Sequence, residues 1–196
     1  MQSDPLALAI RRAQTGDPTG FDWLVDNYGR RVYGFVYRLT GNRTEAEDLL
    51  QEVMLRLVRR IGSYEHTGRF ESWLFRIAAN LVRDRARRAE TRKVVGTGHS
   101  GEESDDILAQ EADPRAVDPD FGLRMSEQID ELQEGLSRLP DIEREVLMMR
   151  HFSEMTFKEI AAATDAPLGT TLARAHRALR KLRQWMDPQG CKATGS

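Results

Sequence analysis

Residues 73–89 read Trp73-Leu74-Phe75-Arg76-Ile77-Ala78-Ala79-Asn80-Leu81-Val82-Arg83-Asp84-Arg85-Ala86-Arg87-Arg88-Ala89. At about 100° per residue this is a helix with two unlike sides. Leu74, Phe75, Ile77, Ala78, Leu81 and Val82 fill one broad side. Arg76, Asn80, Arg83 and Arg87 fall within about 60° of one another on the other, with Trp73 beside them. Arginine holds phosphate, an asparagine amide reads a base edge, and an indole stacks on an unpaired base. The preceding loop adds Tyr64 and Phe70, which flank His66-Thr67-Gly68-Arg69. Aromatic groups beside a basic face suit single-stranded nucleic acid better than intact duplex. The plainer alternative places Phe70 and Trp73 in the core and leaves the arginines to solubilise the helix.

Outward from this helix, the apolar spacing stays helical, and no segment alternates like a strand. Helices are expected near 5–15, 20–39, 44–61, 71–89, 123–137, 141–151, 156–164 and 167–186. Gly41-Asn42, Gly62-Ser63 and Thr67-Gly68 mark breaks. Residues 93–121 hold Gly96, Gly98, Gly101, Pro114 and Pro119, many acids and few large apolar groups, which is linker composition. The expected architecture is all-α: a helical domain over 1–92, a flexible acidic linker over 93–122, a second helical domain over 123–187 and a tail over 188–196. As a coil the linker spans about 30 Å and fully stretched about 100 Å, enough to seat two units far apart on one duplex.

The net charge of −2 over 196 residues hides a segregation. Residues 76–93 carry seven Arg/Lys against two acids, residues 101–120 eight acids against Arg115 alone, and residues 174–183 five bases and no acid. Blocks of like charge usually serve interactions. The single cysteine, Cys191, cannot close an internal disulfide, and no Cys/His spacing resembles a zinc site. The composition fits a reducing cytoplasm, and there is neither a signal peptide nor an apolar run long enough for membrane insertion. His66, His99, His151 and His176 fall in separate elements and no phosphate-cradling glycine loop occurs, so no enzyme, metal or cofactor is expected.

In the helix over 45–60, Ala46, Leu49, Leu50, Val53, Met54, Leu57 and Val58 are expected to face inward. Asp48, Gln51, Glu52, Arg56 and Arg59 face out, and Leu55 projects among them. An apolar centre ringed by acid, amide and base resembles the anchor and rim of a protein contact, although a single exposed leucine is ordinary.

Near the C-terminus, Thr156-Phe157-Lys158-Glu159 is a capping-box pattern, and Thr164-Asp165-Ala166 makes a short turn before Pro167, which suits the first position of a helix. That helix has an apolar arc of Thr171, Leu172, Ala175, Ala178, Leu179, Leu182, Trp185 and Met186. Its other side carries Thr170, Ala173, His176, Arg177, Arg180 and Lys181. Two helices joined by so short a turn, the second basic outside, place a helix in a major groove. A stand-alone dimeric regulator would use the same element, and a purely protein-binding module would leave its basic faces idle.

Two blocks resemble a known family. Thr40-Gly41-Asn42-Arg43, Ala46-Glu47-Asp48-Leu49-Leu50-Gln51-Glu52-Val53 and Phe70-Glu71-Ser72-Trp73-Leu74-Phe75-Arg76-Ile77-Ala78-Ala79-Asn80 are similar to region 2 of the extracytoplasmic-function (ECF) group of sigma-70 family RNA polymerase sigma factors. Leu139-Pro140, Arg144-Glu145-Val146-Leu147, Phe157-Lys158-Glu159-Ile160-Ala161, Pro167-Leu168-Gly169-Thr170 and Arg174-Ala175-His176-Arg177-Ala178 are similar to region 4.

The resemblance implies an alternative sigma factor whose partners are core RNA polymerase, promoter DNA and, as for many relatives, an anti-sigma factor. Asp48, Gln51, Glu52, Leu55, Arg56 and Arg59 would dock on the clamp helices of the largest polymerase subunit, with a further contact at the flap. Tyr64, Trp73, Arg76, Asn80, Arg83 and Arg87 would recognise and open the minus-10 element. Thr170, Ala173, Arg174, His176, Arg177, Arg180 and Lys181 would read the minus-35 element. No region 1.1 or full region 3 is expected. Leu172 and Leu179 stand where relatives usually carry a basic residue, Ala173 where Ser is common, and Asp165 where Gly is usual. Both leucines are expected to widen the core packing of their helix.

Overall fold

The computed structural model describes residues 4–94 and 129–186. Most of the expected linker and the tail lie outside them. Among the described residues every regular element is helical. They are α1 (Pro5–Gln14), α2 (Pro18–Thr40), α3 (Arg43–Arg60), a 3-10 turn (Ile61–Ser63), α4 (Phe70–Val94), α5 (129–137), α6 (Asp141–Phe152), α7 (Phe157–Ala163) and α8 (Leu168–Met186).

The starts follow from local chemistry. Asp4 and Asp17 each accept from a backbone N–H two residues on, just ahead of Pro5 and Pro18 at the first helical position. Asn42 accepts from the Glu45 N–H to open α3, directly after Gly41 closes α2 in the left-handed conformation at φ 69°. Thr156 and Glu159 complete the capping box of α7. Asp165 takes the left-handed turn position at φ 50°, a conformation that aspartate tolerates better than most residues.

α1 crosses α2 at Gly20, where an added Cβ would sit 2.6 Å from the Ala9 carbonyl oxygen and 2.8 Å from Arg12 Cβ. Gly20→Ala is therefore expected to push α1 outward. Overpacking of this kind costs about 1–3 kcal/mol, so the melting temperature should fall by several degrees in a thermal scan. An unchanged midpoint would mean that α1 is already loose.

α2, α3 and α4 pack around Val32, Phe35, Val53, Leu57, Leu74 and Phe75, all at most 1% exposed. The C-terminal helices share this core instead of forming one apart. Phe152, at the end of α6, sets its ring 5.9 Å from Phe35 and 6.2 Å from Phe75, which are themselves 5.3 Å apart. Ser72, Phe75, Ala79 and Arg83 form one stripe of α4, and the first, second and fourth of them touch the C-terminal unit. That side explains why Ala79, which falls outside the apolar arc read from sequence, is fully buried.

The rim of this seam is made of arginines that cap the other unit's helix ends. Arg31 of α2 donates to the Phe152 carbonyl (2.8 Å) as well as to Glu71 (2.6 and 2.7 Å). Arg144 of α6 donates to the Leu39 carbonyl near the end of α2 (2.7 Å). Arg83 of α4 donates to the Ala163 carbonyl at the end of α7 (3.0 Å). The last carbonyls of a helix have no partner within it and carry the negative end of its dipole, so a guanidinium fits there on both counts.

Candidate nucleic-acid and polymerase interfaces

The row on α4 points outward for most of its length. Arg76, Asn80 and Arg87 are exposed, and they stand on one face while Leu74, Phe75, Ile77, Ala78 and Leu81 are buried. Arg83 is the exception. Its guanidinium donates to Asn80 Oδ1 (2.6 Å) and to Ala163, and its Nε lies 2.9 Å from Glu145 Oε1. That last pair is close but angled away from a straight hydrogen bond, and both atoms are buried without another partner. Burial accordingly pushes the Glu145 carboxyl above its ordinary range despite Arg83 and Arg174 nearby.

The aromatic group lies deeper than the sequence suggests. Phe70 is 1% exposed and belongs to the core, the plainer of its two readings. Trp73 and Tyr64 are half-buried, 4.7 Å apart, and both pack on Phe70 at 5.6 and 5.7 Å. Neither ring stands free of the protein, and the Tyr64 hydroxyl is buried. Gln14 of α1, which sequence reasoning passed over, fastens this loop by donating to the carbonyls of Ile61 (3.1 Å) and Tyr64 (2.7 Å).

On α3, Asp48, Gln51, Leu55 and Arg59 are exposed, Leu55 at 50%. Glu52 and Arg56 are partly covered and pair with each other at 3.1 Å, while Asp48 lies 3.4 Å from Arg85. Val58 corrects the sequence reading. It was expected to face inward, yet it is 51% exposed, one helical turn from Leu55. The cause is the end of α3: the chain turns away at Ile61, which is 2% exposed and closes the core in its place.

α8 carries Ala173, His176, Arg177, Arg180 and Lys181 exposed and Thr170 and Arg174 half-covered, on the side away from buried Thr171, Ala175 and Ala178. Leu172 and Leu179 correct a second expectation. They are 44% and 52% exposed and widen no core, because small Ala175 and Ala178 bring α8 close and leave its flanks outside. Met186, also assigned to the apolar arc, is 47% exposed. Among the described residues no helix is long and apolar enough to cross a membrane, and no cluster of three His, Cys, Asp or Glu could hold a metal.

Family models described as "Sigma-70 region 2" and "Sigma-70, region 4" match residues 24–92 and 135–184. The chain is similar to "ECF RNA polymerase sigma factor SigW" of Bacillus subtilis, at 32% identity over 176 residues, 89% of this chain and 93% of that one. It is similar to "ECF RNA polymerase sigma factor SigE" of Mycolicibacterium smegmatis at 33% identity over 186 residues, 93% of this chain and 68% of that one. The fold is similar to the sigma factor RpoE of Bartonella quintana in complex with the anti-sigma factor NepR, with a TM-score of 0.67 and 20% identity over 86% of this chain and 98% of that one.

Proposed function

The chain belongs to the ECF group of sigma-70 family RNA polymerase sigma factors, and from that premise we propose how its surfaces divide the work of transcription initiation. It is an alternative sigma factor that binds core RNA polymerase and directs promoter recognition and DNA opening. It acts in the cytoplasm and contributes binding energy, with no reaction chemistry of its own. α3, through Asp48, Gln51, Glu52, Leu55, Arg56 and Arg59, docks on the clamp helices of the largest polymerase subunit. The flap makes a further contact, and an anti-sigma factor is a further partner. α4 and the loop before it, through Tyr64, Trp73, Arg76, Asn80, Arg83 and Arg87, capture the minus-10 element as it melts. α8, through Thr170, Ala173, Arg174, His176, Arg177, Arg180 and Lys181, reads the minus-35 element as duplex.

The observation that carries this reading is the outward row of Arg76, Asn80 and Arg87 on a helix whose opposite side, from Leu74 to Leu81, is buried in the core. Unpaired bases cost a few kcal/mol each to unstack, and contacts made only to melted DNA offset that cost. Run-off transcription with purified core polymerase on a promoter library tests it. The double variant Arg76→Ala/Asn80→Ala should bind polymerase normally and lose roughly 10- to 100-fold in open-complex formation, since each good base contact contributes about 1–3 kcal/mol. Full activity of that variant on linear templates would remove the minus-10 assignment.

A further inference from the structure

The carboxylate of Glu143, in the first turn of α6, is 6% exposed, although nothing in the sequence marks it as functional. Its two oxygens are divided between two cations of α8: Oε1 accepts from Arg177 Nε at 2.9 Å and Oε2 from Lys181 Nζ at 2.9 Å. Arg177 and Lys181 stand one turn apart on the exposed side of α8, their side chains 44% and 42% exposed. A buried carboxylate is costly unless it is paired, and a surface cation gains little from a single partner, so a core position alone gives no reason for an acid here.

We propose that Glu143 is a positioning residue for minus-35 recognition: it fixes Arg177 and Lys181 in the orientation that α8 presents to the major groove. The proposal rests on the reading of α8 as the minus-35 helix. Arg177 is held by Nε, so the two terminal nitrogens of its guanidinium, which have no partner among the described residues, are left as the planar pair that meets a guanine edge or a phosphate. Lys181 keeps two of its three N–H donors. Long cationic side chains lose much rotamer freedom on docking, and a brace that orders them beforehand removes that loss from the binding step. The same carboxylate cancels part of the charge of α8, which holds down binding to DNA of any sequence. Glu145, two residues on, makes its close contact with Arg83 on α4 and only lies near Arg174, so the hydrogen-bonded brace on Arg177 and Lys181 comes from Glu143.

Glu143→Gln keeps the length of the side chain and removes the charge. Reconstituted holoenzyme should be measured on two templates, one with the minus-35 element intact and one with it scrambled, across a salt series. Discrimination between the templates is expected to fall about tenfold, equivalent to about 1.4 kcal/mol. Affinity for the scrambled template should hold or rise, with a steeper salt dependence, because two cations are released to phosphate. A merely structural role would weaken both templates alike, and that result overturns the proposal. Arg177→Ala serves as the reference. If it leaves minus-35 dependence unchanged, the reading of α8 itself fails. If it abolishes that dependence and Glu143→Gln does not, only the brace fails. Should Glu143→Gln not fold, Glu143→Asp keeps the charge but falls short of the 2.9 Å contacts, and unimpaired discrimination by that variant would overturn the proposal equally.

Discussion

Leu55→Asp is expected to abolish binding to core RNA polymerase while leaving the fold intact. Leu55 is 50% exposed on α3, with Asp48, Gln51, Glu52 and Arg59 around it. An apolar side chain ringed by polar groups is the anatomy of an interface centre, where truncation of an anchor typically costs 2 kcal/mol or more. Aspartate does worse than truncation, because docking would strip water from a charge that has no matched partner. A loss of at least about a hundredfold in affinity follows. Gel filtration with core polymerase should show the variant eluting alone, with an unaltered thermal midpoint. Val58, exposed one turn away, supplies a graded comparison, and its alanine variant should weaken binding less. Retained co-elution of Leu55→Asp would place the polymerase contact elsewhere.

Phe152→Ala should separate the two units of the free protein. The ring of Phe152 is the apolar centre of the seam, against Phe35 and Phe75. Removing a phenylalanine side chain from such packing costs about 3 kcal/mol, a shift of roughly a hundredfold in the packing equilibrium. The variant should show a larger radius by small-angle scattering. Transcription at saturating core polymerase should survive. The reason is distance: elements centred 25 base pairs apart lie about 85 Å apart along a duplex. A compact body of this size has a radius of gyration of only about 15 Å, so the promoter-bound form needs the units apart in any case. An unchanged radius would mean that the polar rim alone holds the seam. Lost transcription in a correctly folded variant would mean that the packed arrangement is the working one.

The helices were legible because their caps are local. Gly41-Asn42 and the Thr156–Glu159 box each act within a few residues, and each gave a boundary close to the observed one. The outward row on α4 was legible for the same reason, since helical spacing fixes which side chains share a face. What sequence periodicity could not supply was the second unit's position. Ala79 and Arg83 owe their burial and pairing to α6 and α7, which follow α4 across the long stretch between Val94 and residue 129. The exposed Leu172, Leu179 and Val58 mark the opposite failure. Hydrophobic character suggests an inward side, but α8 approaches α6 through Ala175 and Ala178, and the flanks never arrive at the core. Glu143 was missed because an acid in the first turn of a helix is unremarkable until its partners on α8 are known.

The arginine caps around the seam bear on how readily it comes undone. Each of Arg31, Arg83 and Arg144 trades a carbonyl for water when the halves part, and the freed carbonyls sit at the edge, where solvent reaches them at once. Such an exchange is nearly balanced in free energy. What holds the halves is then the ring of Phe152 against Phe35 and Phe75 together with the Arg83–Glu145 pair, which makes the seam a snap fastener: firm at rest, and released by a partner that replaces those few contacts.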